Sequence, residues 1–439
     1  MDFHYTPVLS YTYRMNTNII PQQVKNWKHY FTALFYCKKY GNPSKKLKVI
    51  GVTGSDGKTT TANIIYALLK EAGFKVGIIS TLNVKTQEKE FPLDFHVTNP
   101  APKDLQKFLD IMVKEGIEYV ILETTSHGLD QYRVAGVKYQ FSVFTNVSHE
   151  HLDYHKTYEK YLKAKSKLIQ YTKKEGTVIL NKDDQSFKPL CELATDLNRK
   201  IITYGFIQNS DIKADEFVTE DGNMEFSFSI HKKRKQKFST NLKGRYNIHN
   251  IMAAIAVALE LEIPTKKIKQ AILKIPTLEG RWEVIKEKPF QIIVDFAHTP
   301  NALENVLKRG DQLRKKGNNL IVVFGCAGKR DKSKRPKMGD ISAKYADKVI
   351  LTAEDPRGED VQSINKEIIE GMQEVQKNGM EYFSIPDREK AIKKAIEIAK
   401  RGDIIITTGK GHEKSMNLDG KKELPWDEKE TILKILKKN

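Results

Sequence analysis

Residues 51–61 read Gly-Val-Thr-Gly-Ser-Asp-Gly-Lys-Thr-Thr-Thr, and glycines followed by a lysine and hydroxyls suit the holding of a polyphosphate. Backbone N–H groups at Gly54, Ser55, Asp56 and Gly57 can point at phosphate oxygens. Lys58 can reach the terminal phosphates, and the Thr59 hydroxyl, with Thr60 beside it, can ligate Mg²⁺. The flanks agree: Lys46–Ile50 predicts a buried strand, and 62–70 carries apolar residues at helical spacing. A glycine turn that only caps a helix needs neither the lysine nor the threonine run. The chemistry expected is the handling of a nucleoside triphosphate. A general phosphate loop has a glycine five places before Gly57, where this chain has Val52, so the spacing is the shorter variant Thr-Gly-x-x-Gly-Lys-Thr.

The elements that must position this loop are legible in outline. Strands are expected at 119–122, 141–144 and 177–180, alternating with helical stretches. Short alternating strands follow over about 200–240, and a helix over 247–261. Gly280-Arg281 reads as a hinge. Beyond it the strand–helix pattern restarts at 291–295, 320–324, 348–351 and 403–407, with ligand groups expected at the carboxyl ends of the strands. The fold class is α/β: a central, mostly parallel sheet of phosphate-loop type, then a C-terminal Rossmann-like α/β domain. The expected division is 1–47, 48–281 and 282–439.

Bulk properties narrow the partners. With 74 Lys plus Arg against 55 Asp plus Glu, the formal charge is +19, which suits an acidic small substrate, nucleic acid or an anionic surface. The excess is dispersed and the lysine-rich run 231–237 reads as a solvated hairpin, so nucleic acid is not expected. Cys37, Cys191 and Cys326 show no metal-ligand spacing, and with no cleavable signal or long apolar stretch a soluble cytoplasmic monomer is expected. Near the front, Val24, Trp27, Phe31, Leu34 and Phe35 fall at helical spacing among lysines. The expected role of that helix is packing on the nucleotide-binding domain. A second reading is peripheral contact of 22–40 with a membrane surface.

Further blocks follow in order: Glu123-Thr-Thr-Ser-His127, Gly128-Leu-Asp-Gln-Tyr-Arg133, Thr145-Asn146, His149-Glu-His-Leu-Asp-Tyr-His155 and Ala164-Lys165. Then come Gly244-Arg-Tyr-Asn247 with Asn250, Gly280-Arg281, Asp295-Phe-Ala-His-Thr-Pro300, Gly325-Cys-Ala-Gly-Lys-Arg-Asp331 and Gly409-Lys-Gly-His-Glu413. Together with the short phosphate loop, they resemble the Mur ligase superfamily, most closely its MurE type, from about residue 48 to the end. The resemblance implies an ATP- and Mg²⁺-dependent ligase that phosphorylates a carboxylate and lets an amine attack the acyl phosphate. Charge neutralisation around oxygens is then the main catalytic need.

By that resemblance Lys58 holds the γ-phosphate, Thr59 and Glu123 hold one Mg²⁺, and His151 helps hold a second. Lys165 is the lysine that becomes carbamylated to support that second ion. Asn247 and Asn250 lie near the adenine, although asparagines there could also cap a helix. Arg281, Asp295 and His298 face the nucleotide when the domains close. Thr125 and Arg133 contact the acceptor peptide, as do Thr98 and Asn99, which stand where the family has Thr-Thr-Pro. Glu354-Asp355-Pro356-Arg357 aligns with Asp-Asn-Pro-Arg of the enzymes that add meso-diaminopimelate. Arg357 and Arg330 would grip the distal carboxylate with Asp355 beside them, and Gly409 and Glu413 would read the distal amino group.

The function implied is addition of a diamino acid, meso-diaminopimelate, to a muramyl-dipeptide-type acceptor in peptidoglycan precursor synthesis. Only residues 1–47 precede the region of resemblance, where the family carries a uridine-diphosphate-binding domain. An acceptor without a gripped uridine nucleotide, or a lipid-linked one, is therefore a second reading. A folate-extending ligase and a non-catalytic nucleotide-binding subunit are the others.

Overall fold

The computed structural model describes residues 22–92, 98–148, 150–220, 223–230, 235–373 and 379–438. Residues 1–21, His149 of the histidine block and 231–234 of the lysine run lie outside them. Among the described residues, one sheet is built from β1 (Lys48–Thr53), β2 (Val76–Ile79), β3 (Asn83–Lys85), β4 (Glu90–Pro92), β5 (Tyr119–Glu123) and β6 (Tyr139–Phe144). It continues through β7 (Thr172–Asn181), β8 (Lys200–Gly205), β9 (Ile212–Glu220), β10 (Asn223–Ile230) and β11 (Gln236–Thr240). Its order is β11-β10-β9-β8-β7-β6-β1-β5-β2-β3-β4. From β9 through β8, β7, β6, β1 and β5 to β2 the neighbours are parallel. The two ends turn antiparallel.

β1 lies mid-sheet and is buried from Val49 on, as a parallel strand covered on both faces must be. Successive residues serve opposite cores: Ile50 and Val52 join the side chains beneath the helix Arg245–Glu260, and Val49 joins those beneath Pro102–Lys114. The antiparallel excursion expected over 200–240 is present as the hairpins β9-β10-β11.

A second sheet comprises β12 (Glu283–Lys286), β13 (Gln291–Val294), β14 (Leu320–Phe324), β15 (Lys348–Leu351), β16 (Glu381–Ser384) and β17 (Ile404–Thr407). Its order is β12-β13-β17-β14-β15-β16, parallel except for the β12–β13 pair. The carboxyl ends of β13, β14, β15 and β17 open into the segments at 295–300, 325–331, 354–357 and 409–413 that carry the motifs.

The front helix α1 (Gln22–Lys39) forms as expected, but its apolar stripe is not what packs. It docks through the narrow side of the helix: Ala33 and Cys37 are buried, and Cys37 Sγ lies 3.7 Å from the Gly136 carbonyl oxygen. Asn26 donates to the Asp130 carbonyl at 3.3 Å. Small side chains let the backbones come close, so the bulky residues at the other helical phase face outward. No helix among the described residues is long and apolar enough to cross a membrane.

Candidate active site

The phosphate loop joins β1 to α2 (Lys58–Ala72), with Gly57 at the N-cap. Gly57 has φ 78°, and a side chain there would meet the Asn250 amide oxygen at 2.3 Å. Asn250 is therefore pressed against the loop, and Thr61 donates to the same oxygen at 3.2 Å. The loop is held from β6 as well: Ser55 N–H donates to the Asn146 carbonyl (2.8 Å), Asp56 N–H donates to the Asn146 amide oxygen (2.9 Å) and Thr145 Oγ1 donates to the Asp56 carbonyl (2.6 Å). Lys58 curls back, its Nζ donating to the Ser55 carbonyl at 2.6 Å.

Thr59 donates to both carboxylate oxygens of Glu123 at 3.0 and 3.1 Å, and Thr81 N–H donates to the same carboxylate at 3.0 Å. Thr59 and Glu123 are both buried. This is a hard-oxygen pair of the kind Mg²⁺ takes when phosphates supply most of its ligands. No three His, Cys, Asp or Glu side chains among the described residues converge into a group that could hold a metal ion. Asn247 and Asn250 sit inside the helix Arg245–Glu260, whose N-cap is Gly244, so neither caps it. Asn250 Nδ2 donates to Asn247 Oδ1 at 3.0 Å.

Lys165, only 1 % exposed, sends Nζ to the Gly54 carbonyl at 2.6 Å and lies over the Tyr161 ring at 4.6 Å. Burial, then the Lys58 charge, hold its amine well below the ordinary lysine range. Burial likewise pushes His151 down to about 4 and His127 down to about 3. On the neighbouring loop the Asn99 amide is spent on the protein: it donates to the Glu123 carbonyl and accepts from Thr125 N–H and Oγ1, each at 2.8 Å. Thr98 bonds Thr81 at 2.9 Å, and Arg133 donates to the Asn99 carbonyl at 3.4 Å.

The second sheet closes over this surface. Asp56 of the loop accepts from Thr299 Oγ1 (3.0 Å) and Asn301 Nδ2 (2.7 Å), and His298 Nε2 lies 3.4 Å from Glu150 Oε1. Arg281 crosses the Phe296 ring at 4.4 Å and donates to His412 Nδ1 at 3.3 Å. Asp295 is buried and accepts from Trp282 N–H (2.7 Å) and Ala297 N–H (2.8 Å), with burial holding its carboxyl above the usual range. Farther in, Asp355 bonds Arg357 (3.0 Å) and the buried Lys410 (2.9 Å), which also bonds Glu413 at 2.5 Å.

Every site residue expected from the sequence except Gly54 and Lys165 lines one cavity of about 1750 Å³, and those two lie beneath its floor in mutual contact. Four groups inside or beside the motif blocks carry no role in the expectations from the sequence. Glu150 stands between His151 (3.5 Å) and His298. Lys334 donates to the His298 carbonyl at 2.6 Å. Lys410 neutralises Asp355 and Glu413. Glu354 is buried with Oε2 unpartnered and lines the cavity. The available signal was placement: each sits inside or beside a motif block, and Glu150, Glu354 and Lys410 are buried charges, which such a position would not hold without a partner or ligand.

Comparison with known proteins agrees with this geometry. The family descriptions that match are the Mur ligase middle domain, over residues 52–258, and the Mur ligase glutamate ligase domain, over 280–411. The chain is 38% identical over 408 residues to the UDP-N-acetylmuramoyl-L-alanyl-D-glutamate–2,6-diaminopimelate ligase of Clostridium botulinum, covering 92% of this chain and 81% of that one. It is 41% identical to the enzyme of the same name from Aquifex aeolicus, covering 90% and 79%. A solved structure of a ligase of that name superposes with TM-score 0.62 at 29% identity, over 95% of this chain and 83% of the other. A folylpolyglutamate synthase from Mycobacterium tuberculosis superposes with TM-score 0.70 over 89% and 96%, but at 14% identity that likeness speaks to fold only.

Proposed function

The chain belongs to the Mur ligase family, and on that footing we propose that it is an ATP-dependent ligase joining meso-diaminopimelate to the free carboxylate of a muramyl-dipeptide-type acceptor. The observation that carries this reading is the single cavity bordered by the phosphate loop on one side and the Arg330–Asp355–Arg357–Glu413 group on the other. One reaction then needs both. The acceptor carboxylate takes the γ-phosphoryl group and ADP leaves. The amine of the incoming amino acid then attacks the acyl carbon, phosphate departs and the amine proton is lost.

In this proposal residues 48–281 form the nucleotide-binding domain and 282–439 the amino-acid-binding domain, behind the front segment 1–47. The loop at 54–60 gathers the phosphates through the N–H groups from Gly57 on and the Lys58 ammonium, since Asn146 already takes the N–H groups of Ser55 and Asp56, and Asn247 and Asn250 border the adenine. Thr59 and Glu123 would hold Mg²⁺, and His151 would hold a second ion together with Lys165, once its neutral amine had added carbon dioxide and lost a proton to become a carbamate. Bound there, Mg²⁺ supplies neutralisation of the charge that builds on the transferring phosphoryl group. Arg281, Asp295 and His298 close over the nucleotide and exclude water, which would otherwise hydrolyse an acyl phosphate. Thr98, Thr125 and Arg133 border the acceptor, with Asn99 holding their loop. Arg357 and Arg330 take the distal carboxylate, while Gly409 and Glu413 take the distal ammonium. The enzyme works as a monomer in the cytoplasm, where ATP is supplied.

Phosphate release from ATP, measured with UDP-muramyl dipeptide and each candidate amino acid, tests the reading. Release that requires both the acceptor and meso-diaminopimelate is expected. Release indifferent to the amino acid, or stronger with glutamate and a folate, would overturn it.

A further inference from the structure

The outward face of α1 carries Val24, Trp27, Phe31, Leu34 and Phe35, exposed by 54, 58, 63, 38 and 62% respectively. They form one strip about 17 Å long at helical rise, with Trp27 stacked on Phe31 at 5.9 Å between ring centres. A contiguous aromatic and aliphatic strip of this kind marks a contact surface rather than ordinary exposed residues. Its rim is basic: Lys28, Lys38 and Lys39 are exposed on the helix, and Lys45 and Lys46 follow directly. The helix contains no Asp or Glu.

We propose that this face docks on an anionic lipid bilayer, the rings and aliphatic chains lying among acyl chains and the lysines against headgroup phosphates. An apolar strip with aromatic residues and a lysine rim is the pattern of a helix lying in a membrane interface. A second copy of the chain fits less well, because a two-fold contact on this face would set two acid-free lysine rims against each other. A nucleic-acid backbone would engage the lysines but leave Val24, Leu34 and the rings in water.

The docking has a consequence for the cavity. Gln22, the first residue of α1, is in the cavity lining. Asn26 bonds Asp130, which in turn accepts from the cavity residue Tyr154 at 2.9 Å. A docked chain therefore holds the cavity rim at the lipid surface, where an acceptor carrying a lipid anchor would arrive. That consequence rests on the ligase reading, whereas the docking does not.

Flotation of the full chain with phosphatidylcholine vesicles, with and without phosphatidylglycerol, tests the proposal. Co-flotation with the anionic vesicles only, weakened by salt, is expected. Phe31→Glu with Phe35→Glu should lower the partition coefficient by about a hundredfold or more. Those changes should leave thermal stability and turnover of a soluble acceptor unchanged, because both side chains are exposed. Lys58→Ala should abolish turnover yet float like the parent, so failure of the ligase reading and failure of docking give different results. No flotation, or flotation indifferent to Phe31 and Phe35, overturns the proposal. A dimer in light scattering that the same two substitutions dissociate overturns it in favour of a second copy.

Discussion

Arg357→Ala separates recognition of the amino acid from everything else the cavity does. Arg357 stands in the loop after β15 with φ 51°, its Nη2 bonded to Asp355 at 3.0 Å and its side chain 24% exposed. Alanine at the same φ bears a similar backbone cost, so that strain largely cancels between the two proteins. Asp355 loses one partner but keeps Lys410 and the Asn417 N–H, so the fold should lose little. On the proposed assignment, what disappears is the charge-assisted fork for a distal carboxylate, a contact of about 1.5–3 kcal/mol, or about 10- to 150-fold in kcat/KM. Initial rates of phosphate release would be compared for meso-diaminopimelate and L-lysine, which differ by that one carboxylate. The expected result is a loss of that size for diaminopimelate and a small change for lysine. Arg357→Lys should recover only part of it, since an ammonium cannot form the fork. Equal losses on both substrates, or none on diaminopimelate, would refute the assignment of Arg357.

Arg388 and Glu428 form a buried two-point pair at 2.7 and 2.8 Å, and Arg388 also holds the carbonyls of Ala353 and Thr408. Arg388→Met should cost about 3–5 kcal/mol in chemical denaturation by stranding Glu428, and Arg388→Met with Glu428→Leu should recover much of it. Gly280 has φ 63°, and an added Cβ would stand 2.3 Å from the His412 nitrogen. Gly280→Ala should displace the 409–413 loop, and turnover should fall far more than melting temperature; parallel losses would argue against a local effect. Burial, then the Arg281 charge, hold His412 well below the usual histidine range. Below pH 6.5 the unfolded chain therefore takes up a proton that the folded chain refuses, and stability falls with pH. The slope should reach up to about 1.4 kcal/mol per pH unit from this group. His412→Asn should flatten it, and an unchanged slope would count against the buried neutral form.

The local elements were legible because they rest on short-range rules. The phosphate loop between a buried strand and a helix, the antiparallel strands after residue 200, and the restart of strand–helix alternation after Gly280 all follow from periodicity and glycine placement. Helix boundaries drifted by a few residues, as at Arg245 rather than Asn247, because end geometry depends on caps and packing. The α1 stripe shows where such reading stops. Periodicity identified its amphipathic face correctly, but Ala33 and Cys37 against Gly136 chose the opposite side for burial.

What the sequence determined by itself was the list of chemical groups and the order of the blocks that carry them. Which groups meet was decided only by the tertiary structure. Asp56 and Asn301 are 245 residues apart, yet they bond across the two sheets, and no local pattern encodes a contact at that separation. Lys410 carries a charge at 0% exposure because folding delivers Asp355 and Glu413 to it. A buried charge is tolerable only with its counter-charges in place, and that condition is met by the packing of the whole chain.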